Sequence, residues 1–420
     1  MRRSERLILA AILFIGAALR LWGLTFGVPH LDTRPGEITI VTTAARLLQG
    51  RVNATSLLIV LRVFSAAAGI ATIWLVYRLV ERVFDRLTAI TAAFFVAIAF
   101  LHVRDSHFGL PEVLMTALVI AALIALSSAI DDPGRLSRWA LSAALLGLAA
   151  SMKYNGGWVG SGLGLGREWL HHLTFSLWYG LGAPLLVAGL AGVVLIAATS
   201  WKKAVLTLTF PILYYATIGR GQTAREITPV VPFLCMTAAF LLVRIVQRFV
   251  RPESTARLVA LIAIVLALPS IARDLAFDVL VRRSDTRVLA QDWIATHGAA
   301  DDSIGQIPPV LIYPDVGIAK PAHLATFDIN RKAFVSATGA AISPEWMLVP
   351  TSPLTAYTVS SDQLATIANR EYVRAASIPA ATGPEMSDWF DQRDLFFMPF
   401  TTFTMRDRPG PEIQIFRKRH

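Results

Sequence analysis

Residues 102–130 read HVRDSHFGLPEVLMTALVIAALIALSSAI. After Glu112 this stretch carries no charge, and apolar residues run almost unbroken to Ile130. A helix needs about 20 such residues to cross the hydrocarbon core of a bilayer. Only a helix satisfies its own backbone groups there. The apolar part, 111–130, therefore reads as a spanning helix. The start of the stretch, 102–112, carries His102, Arg104, Asp105, His107 and Glu112 and reads as a polar turn at the membrane face that leads into this helix.

Outward from this stretch the pattern repeats. Comparable runs cover roughly 7–24, 56–80, 87–103, 138–152, 173–198, 203–219, 229–247 and 257–278, so nine spans are expected. The first follows Arg2, Arg3 and Arg6 as a signal peptide would. No small-residue cleavage site comes after it and more spans do, so it reads as a retained helix. Composition agrees: of 420 residues 55% are hydrophobic and 16% charged. Soluble domains carry about 45–50% apolar and about 25% charged residues. The net charge of +10 suits basic residues that flank membrane helices and meet anionic headgroups, and no nucleic-acid partner is read from it. Cys235 is the single cysteine, which excludes a disulfide framework and a thiolate metal site.

Basic loops set membrane orientation. With the N-terminus in the cytoplasm, the inside segments hold Arg2, Arg3, Arg6, Arg78, Arg82, Arg86, Arg135, Arg138, Lys202, Lys203, Arg248, Arg251 and Arg257. The outside loops hold fewer. An odd number of spans then puts everything after residue 280 outside. That part has no spanning run. Asp285-Thr286-Arg287 opens a helix with Val288, Leu289 and Trp293 on its apolar face, VLIY between Pro309 and Pro314 reads as a strand, and EIQIFRKR alternates as a closing strand. The expected architecture is a polytopic α-helical membrane domain, 1–280, followed by a small extracytoplasmic α/β domain, 281–420.

Polar chemistry collects in the outside loops. The first, PHLDTRPGEITIVTTAARLLQG (29–50), has Asp32 and Glu37 as its acids; the third, SMKYNGGWVGSGLGLGREWLHH (151–172), has Lys153 and Tyr154; the fourth, GRGQTAREITP (219–229), has Arg220 and Arg225. Carboxylates and cations gathered at one face suit a reaction on a charged lipid. A carboxylate can take a proton from an acceptor hydroxyl, and arginine or lysine can hold a departing phosphate. The bland alternative is that these are solvated loop charges. His102 and His107 are five apart, poor spacing for two ligands on one helix face, so no metal site is assigned to them. The glycines of 156–166 lack the GxxxxGK[ST] pattern of a phosphate loop. Arg20 and Arg62 lie near helix ends, where long side chains can snorkel to the interface.

Several stretches together resemble the GT-C class of polyprenyl-phosphate-sugar-dependent glycosyltransferases, bacterial relatives of the protein O-mannosyltransferases and lipid A aminoarabinose transferases in particular. They are Arg20-Leu21-Trp22-Gly23-Leu24, Pro35-Gly36-Glu37, Leu61-Arg62-Val63, HVRDSHFGLPEVLMT (102–116), SMKYNGG (151–157), HLTFSLWYGLGAPLL (172–186) and the ending DLFFMPFTTFTMRDRPGPEIQIF (394–416). Their order along the chain is the specific signal.

The resemblance implies an inverting transfer of a sugar from a polyprenyl-phosphate donor to a lipid, glycan or protein acceptor at the outer face of a bacterial plasma membrane. It implies Glu37 and Glu112 as catalytic carboxylates. Arg104, Lys153, Arg220 and Arg225 become donor-phosphate contacts, with Asp32, Asp105, His107 and Tyr154 as further candidates. No cofactor is required by these residues, and participation of a divalent metal stays open. Two departures from the family pattern stand out: Gly36 stands where the family carries an aspartate, which counts against activity, and Pro111-Glu112 stands where it carries Thr-Asp, which keeps a carboxylate with a longer reach. An inactive relative that binds a lipid-linked sugar or a partner protein is the alternative.

Overall fold

The structure is a computed structural model. It describes residues 3–28, 34–49, 51–152, 168–218, 223–299, 301–307, 324–354 (without 329 and 337), 362–394 and 396–419. Asp32, Lys153, Tyr154, Arg220, the glycines of 156–166 and the strand expected at 310–313 lie outside the described residues.

Helices dominate. In chain order they are α1 (Arg3–Leu21), α2 (Pro35–Leu47), α3 (Ala54–Val83), α4 (Arg86–Ala97), α5 (Phe100–Ser106), α6 (Pro111–Asp131), α7 (Leu136–Ser151), α8 (Glu168–His171), α9 (Leu177–Leu181), α10 (Ala183–Thr199), α11 (Trp201–Ile218), α12 (Val231–Phe249), α13 (Pro252–Val281), α14 (Thr286–His297) and α15 (Asp362–Glu371). A π-helical turn, His172–Ser176, joins α8 to α9, and a 3-10 helix, Ala224–Val230, leads into α12. Among the described residues four helical stretches are long and apolar enough to cross a membrane. Two bent pairs bring the number to six. The chain is an integral membrane protein, and large apolar side chains such as Phe14, Phe64, Val194, Leu213 and Val265 are exposed on its helices, as lipid-facing positions require.

Two expected spans are not continuous. The run at 87–103 is bent by 57° between α4 and α5. The run at 173–198 is bent by 117° at Gly182, whose φ of 80° is open to glycine and costly for a residue with a Cβ. Hydropathy averages over such a break because it leaves the apolar content unchanged. Local chemistry sets the other ends. Asp85 accepts from the Thr88 amide at 2.9 Å and caps α4. Pro111 opens α6, where its missing N–H costs nothing.

The chain divides into two compact units. The first holds Met1–Leu24 and Ser56–Asp278; the second holds Thr25–Thr55 and Val279–His420. The first outside loop thus belongs with the C-terminal part of the chain, and it contains a helix, α2, where a loop was expected.

The second unit carries a seven-stranded sheet of order β4-β3-β2-β1-β5-β7-β6. The strands are β1 (Ile304–Gln306), β2 (Leu324–Asp328), β3 (Ala333–Ser336), β4 (Ala341–Ile342), β5 (Trp346–Thr351), β6 (Tyr372–Ile378) and β7 (Glu412–Lys418). β1 runs parallel to β2 and β5, and the other pairs are antiparallel. Side chains alternate between sheet faces. Trp346, Leu348, Ile413 and Ile415 pack on one face against Ala290 and Ile294 of α14. Met347, Phe327 and Phe334 pack on the other with Leu364 and Ala368 of α15. The helix opened at Asp285 and the closing strand stand where the sequence put them. Asp285 caps α14 by accepting from the Arg287 amide at 2.9 Å.

Candidate active site

In the first unit the polar residues of 102–112 meet the 3-10 helix. Residues 102–106 were expected in a polar outside turn; they belong instead to α5, a helix in which every residue is buried. It packs against α1, α6, α9 and the 3-10 helix, which leaves no open side. Asp105 accepts a 2.5 Å hydrogen bond from the Thr228 hydroxyl and a 3.2 Å bond from Arg104 Nη1. Arg104 was expected to face a donor phosphate. It is instead fully buried and turned toward Asp105, because α5 is enclosed.

Glu112 sits in the first turn of α6, where the helix dipole favours a carboxylate. Its Oε1 lies 4.0 Å from Arg225 Nε, and about a quarter of the Arg225 side chain is exposed. Nearby Tyr214 donates to the Glu226 carbonyl at 2.8 Å and ties α11 to the 3-10 helix. The π-helical turn adjoins the same 3-10 helix. Within it His172 Nδ1 and Ser176 Oγ are 3.2 Å apart. Such turns recur at functional sites.

His107 turns inward. Its Nδ1 donates to the Val103 carbonyl at 2.9 Å, and its Nε2 lies 3.5 Å from Asp278 of α13. Arg20 and Arg62, expected to snorkel, are fully buried. Arg20 donates to the carbonyls of Val96 (2.9 Å) and Ala97 (2.8 Å) and lies 3.0 Å from His102 Nδ1. It therefore caps the C-terminal end of α4 and holds the first turn of α5, stabilising the bend between them. Arg62 donates to the Leu24 carbonyl at 2.9 Å and lies 5.7 Å from the Phe108 ring centre. Buried acceptors have captured both guanidinium groups, a pairing that position near a helix end does not reveal.

Beside the 3-10 helix opens an apolar groove of about 540 Å³. Tyr215 and Ala216 of α11, Val230 at the end of the 3-10 helix, Phe233 of α12 and Leu177 of α9 are among its lining residues. Arg225 stands five positions before Val230 in the same 3-10 helix.

In the second unit Glu37 lies in the first turn of α2 and is buried. Arg34, just before α2, donates to Asp394 Oδ2 at 2.9 Å, and both side chains are fully buried. Thr228, Tyr214 and Asp394 were not singled out in the sequence. Thr228 and Tyr214 carry no motif of their own. Asp394 opened a quoted family stretch, and that was the available signal. Among the described residues no three His, Cys, Asp or Glu side chains converge into a metal ligand set.

Residues 53–165 match the family model described as dolichyl-phosphate-mannose-protein mannosyltransferase. The match includes Arg104, Asp105 and Glu112 and agrees with the resemblance carried by the motifs. No curated protein sequence matches the chain. Among solved structures the chain is similar to the oligosaccharyltransferase of Archaeoglobus fulgidus in complex with Zn and sulfate, with 15% identity, 72% of this chain and 60% of that chain covered, and a TM-score of 0.44. It is similar to AglB from the same archaeon in complex with an inhibitory peptide and a dolichol-phosphate (12% identity, 83% and 69% covered, TM-score 0.48). It is also similar to ArnT from Cupriavidus metallidurans bound to undecaprenyl phosphate (11% identity, 87% and 91% covered, TM-score 0.48). The chain spans about 60% of the length of the first of these.

Proposed function

We propose that the protein transfers a sugar from a polyprenyl-phosphate donor to an acceptor hydroxyl, with inversion at the anomeric carbon, at the outer face of a bacterial plasma membrane. The C-terminal part lies on that outer side. The observation that carries this reading is the partly exposed Arg225 on the same 3-10 helix that lines an apolar groove. A cation on a helix whose end, Val230, lines an apolar slot suits an anionic lipid, with its phosphate on the guanidinium and its isoprenoid chain in the groove.

Each group then has a task. Arg225 holds the donor phosphate, and Glu112 orients Arg225 before the donor arrives. Arg104 and Thr228 hold Asp105, which fixes the 3-10 helix against α5. Lys153 and Arg220 are proposed as further phosphate contacts, with Asp32, Tyr154 and His107 as secondary residues of the site. Glu37 is the proposed general base. The acceptor oxygen bonds to the anomeric carbon as the carbon–oxygen bond to phosphate breaks. The acceptor proton passes to a carboxylate, the role proposed for Glu37, and the lipid phosphate leaves with the bonding electrons.

Donor kinetics test this reading. Arg225→Ala should raise KM for the lipid donor on the order of tenfold or more, the loss of a charge-assisted phosphate contact. Glu112→Gln should raise it less. Unchanged donor KM in both variants would remove the phosphate site from this place. The second reading, an inactive binder of lipid-linked sugar, is favoured by Gly36, which cannot accept a proton.

A further inference from the structure

Arg34 and Asp394 are 360 positions apart in sequence, yet both belong to the second unit and their side chains form a 2.9 Å pair with no solvent exposure. The guanidinium also lies over the Phe396 ring, 5.2 Å from its centre. Phe396 in turn meets Phe26 edge-on at 6.3 Å. Asp394 and Phe396 of the C-terminal part thus grip the chain on the approach to α2.

What it grips matters. Arg34 occupies the N-cap position of α2 with extended backbone and makes no side-chain cap bond there. Its carbonyl accepts from the Glu37 amide at 3.0 Å. Displacing Arg34 therefore moves the first turn of α2 and the carboxylate on it. A buried ion pair adds little net stability over an apolar substitute, but it fixes geometry, and breaking it leaves a buried charge uncompensated.

We propose that Asp394 is a positioning residue: through Arg34 the C-terminal part holds the first turn of α2 so that Glu37 meets the acceptor. This rests on the reading of Glu37 as base. It gives the C-terminal part a role in orienting the reacting carboxylate. A misplacement of about 1 Å in a catalytic group can cost on the order of a hundredfold in rate.

The full-length protein in detergent is assayed in two ways. Amide exchange across 35–47 reports the grip without reference to activity. Asp394→Asn should accelerate it on the order of tenfold or more, through easier local opening, and the reversed pair Arg34→Asp with Asp394→Arg should restore part of the protection. Phe396→Leu, which keeps both charges, should give a smaller acceleration and guards against a misfolded Asp394 variant. Unchanged exchange in both Asp394→Asn and Phe396→Leu would overturn the grip.

Transfer kinetics then test positioning. Asp394→Asn should lower kcat with donor KM nearly unchanged, and should add no further loss to the residual turnover of Glu37→Gln. A full additional loss in the Glu37→Gln background would mean that Asp394 acts on structure generally, and would overturn the positioning role. Should Glu37→Gln itself keep wild-type turnover, the base assignment fails, and the exchange data still decide whether Asp394 grips α2.

Discussion

Replacing Thr228 with valine keeps the side-chain shape and removes one hydroxyl. That hydroxyl donates at 2.5 Å to Asp105, Thr228 is fully buried, and Asp105 is 1% exposed. Water therefore has no route to replace the lost donor without opening the packing between α5 and the 3-10 helix. A hydrogen bond to an ionised carboxylate contributes about 1.5–3 kcal/mol. Arg104 still holds the other oxygen at 3.2 Å, which argues for the lower half of that range. Thr228→Val should thus shift the unfolding equilibrium by roughly tenfold or somewhat more. Denaturant unfolding in mixed micelles reads this directly. Because Arg225 lies three positions earlier in the same 3-10 helix, donor KM should rise as well. Thr228→Ser should recover most of both losses. Wild-type unfolding and wild-type KM in Thr228→Val would refute the claim that the Asp105–Thr228 bond fixes this site.

Burial alone would raise the carboxyl of Asp285, but the charge and hydrogen bonds of Arg287, with help from Arg406, hold it below its ordinary value of 3.8. A depressed folded value stabilises the fold above 3.8 and loses that contribution as pH falls below it. In acid titration of unfolding, wild type should therefore exceed Asp285→Asn at neutral pH, with the gap closing below 3.8; a gap independent of pH would contradict this. On α10 a Cβ at Gly192 would lie 2.5 Å from the Thr237 carbonyl carbon of α12, whereas one at Gly134 meets nothing within 4 Å. Gly192→Ala should cost about 1–3 kcal/mol by forcing two helices apart, read as an earlier melt in detergent, and Gly134→Ala should melt as wild type. Ala216→Trp fills part of the apolar groove and should raise KM for a long polyprenyl donor while sparing one with two isoprene units.

Much of the architecture was legible because it follows from elementary constraints. Apolar length marks spanning helices, and Asp285 before an amphipathic run marks the start of α14. Alternation in EIQIFRK marks β7. What stayed hidden depends on contacts between residues far apart in the chain. The burial of α5 could not be read from HVRDS, whose charges look like a solvated turn until α1, α6 and the 3-10 helix enclose it. Arg20 looked like a snorkelling residue because only the folded chain brings the carbonyls at Val96 and Ala97 to its guanidinium. The break at Gly182 left no mark on hydropathy. Asp105, Glu112 and Arg225 stood among the loop residues that residue type alone singles out. Their pairings were not legible, since Thr228 and Asp105 are 123 positions apart. The assignment of 25–55 to the same unit as 279–420 was equally silent, because Arg34 was one basic loop residue among several.

A chain that moves a sugar from a lipid phosphate should do so within a single turnover. Single-turnover transfer in detergent, with a panel of radiolabelled polyprenyl-phosphate sugars, tests this most directly when wild type and Glu37→Gln run side by side and donor retention is measured on the same samples. Wild type should transfer from at least one donor, and Glu37→Gln should lose at least a hundredfold with donor retention unchanged; general-base catalysis contributes about 10²–10⁴-fold. Donor retained by folded wild-type protein with no transfer from any member of the panel would contradict this, and would leave a lipid-sugar binder in place of an enzyme.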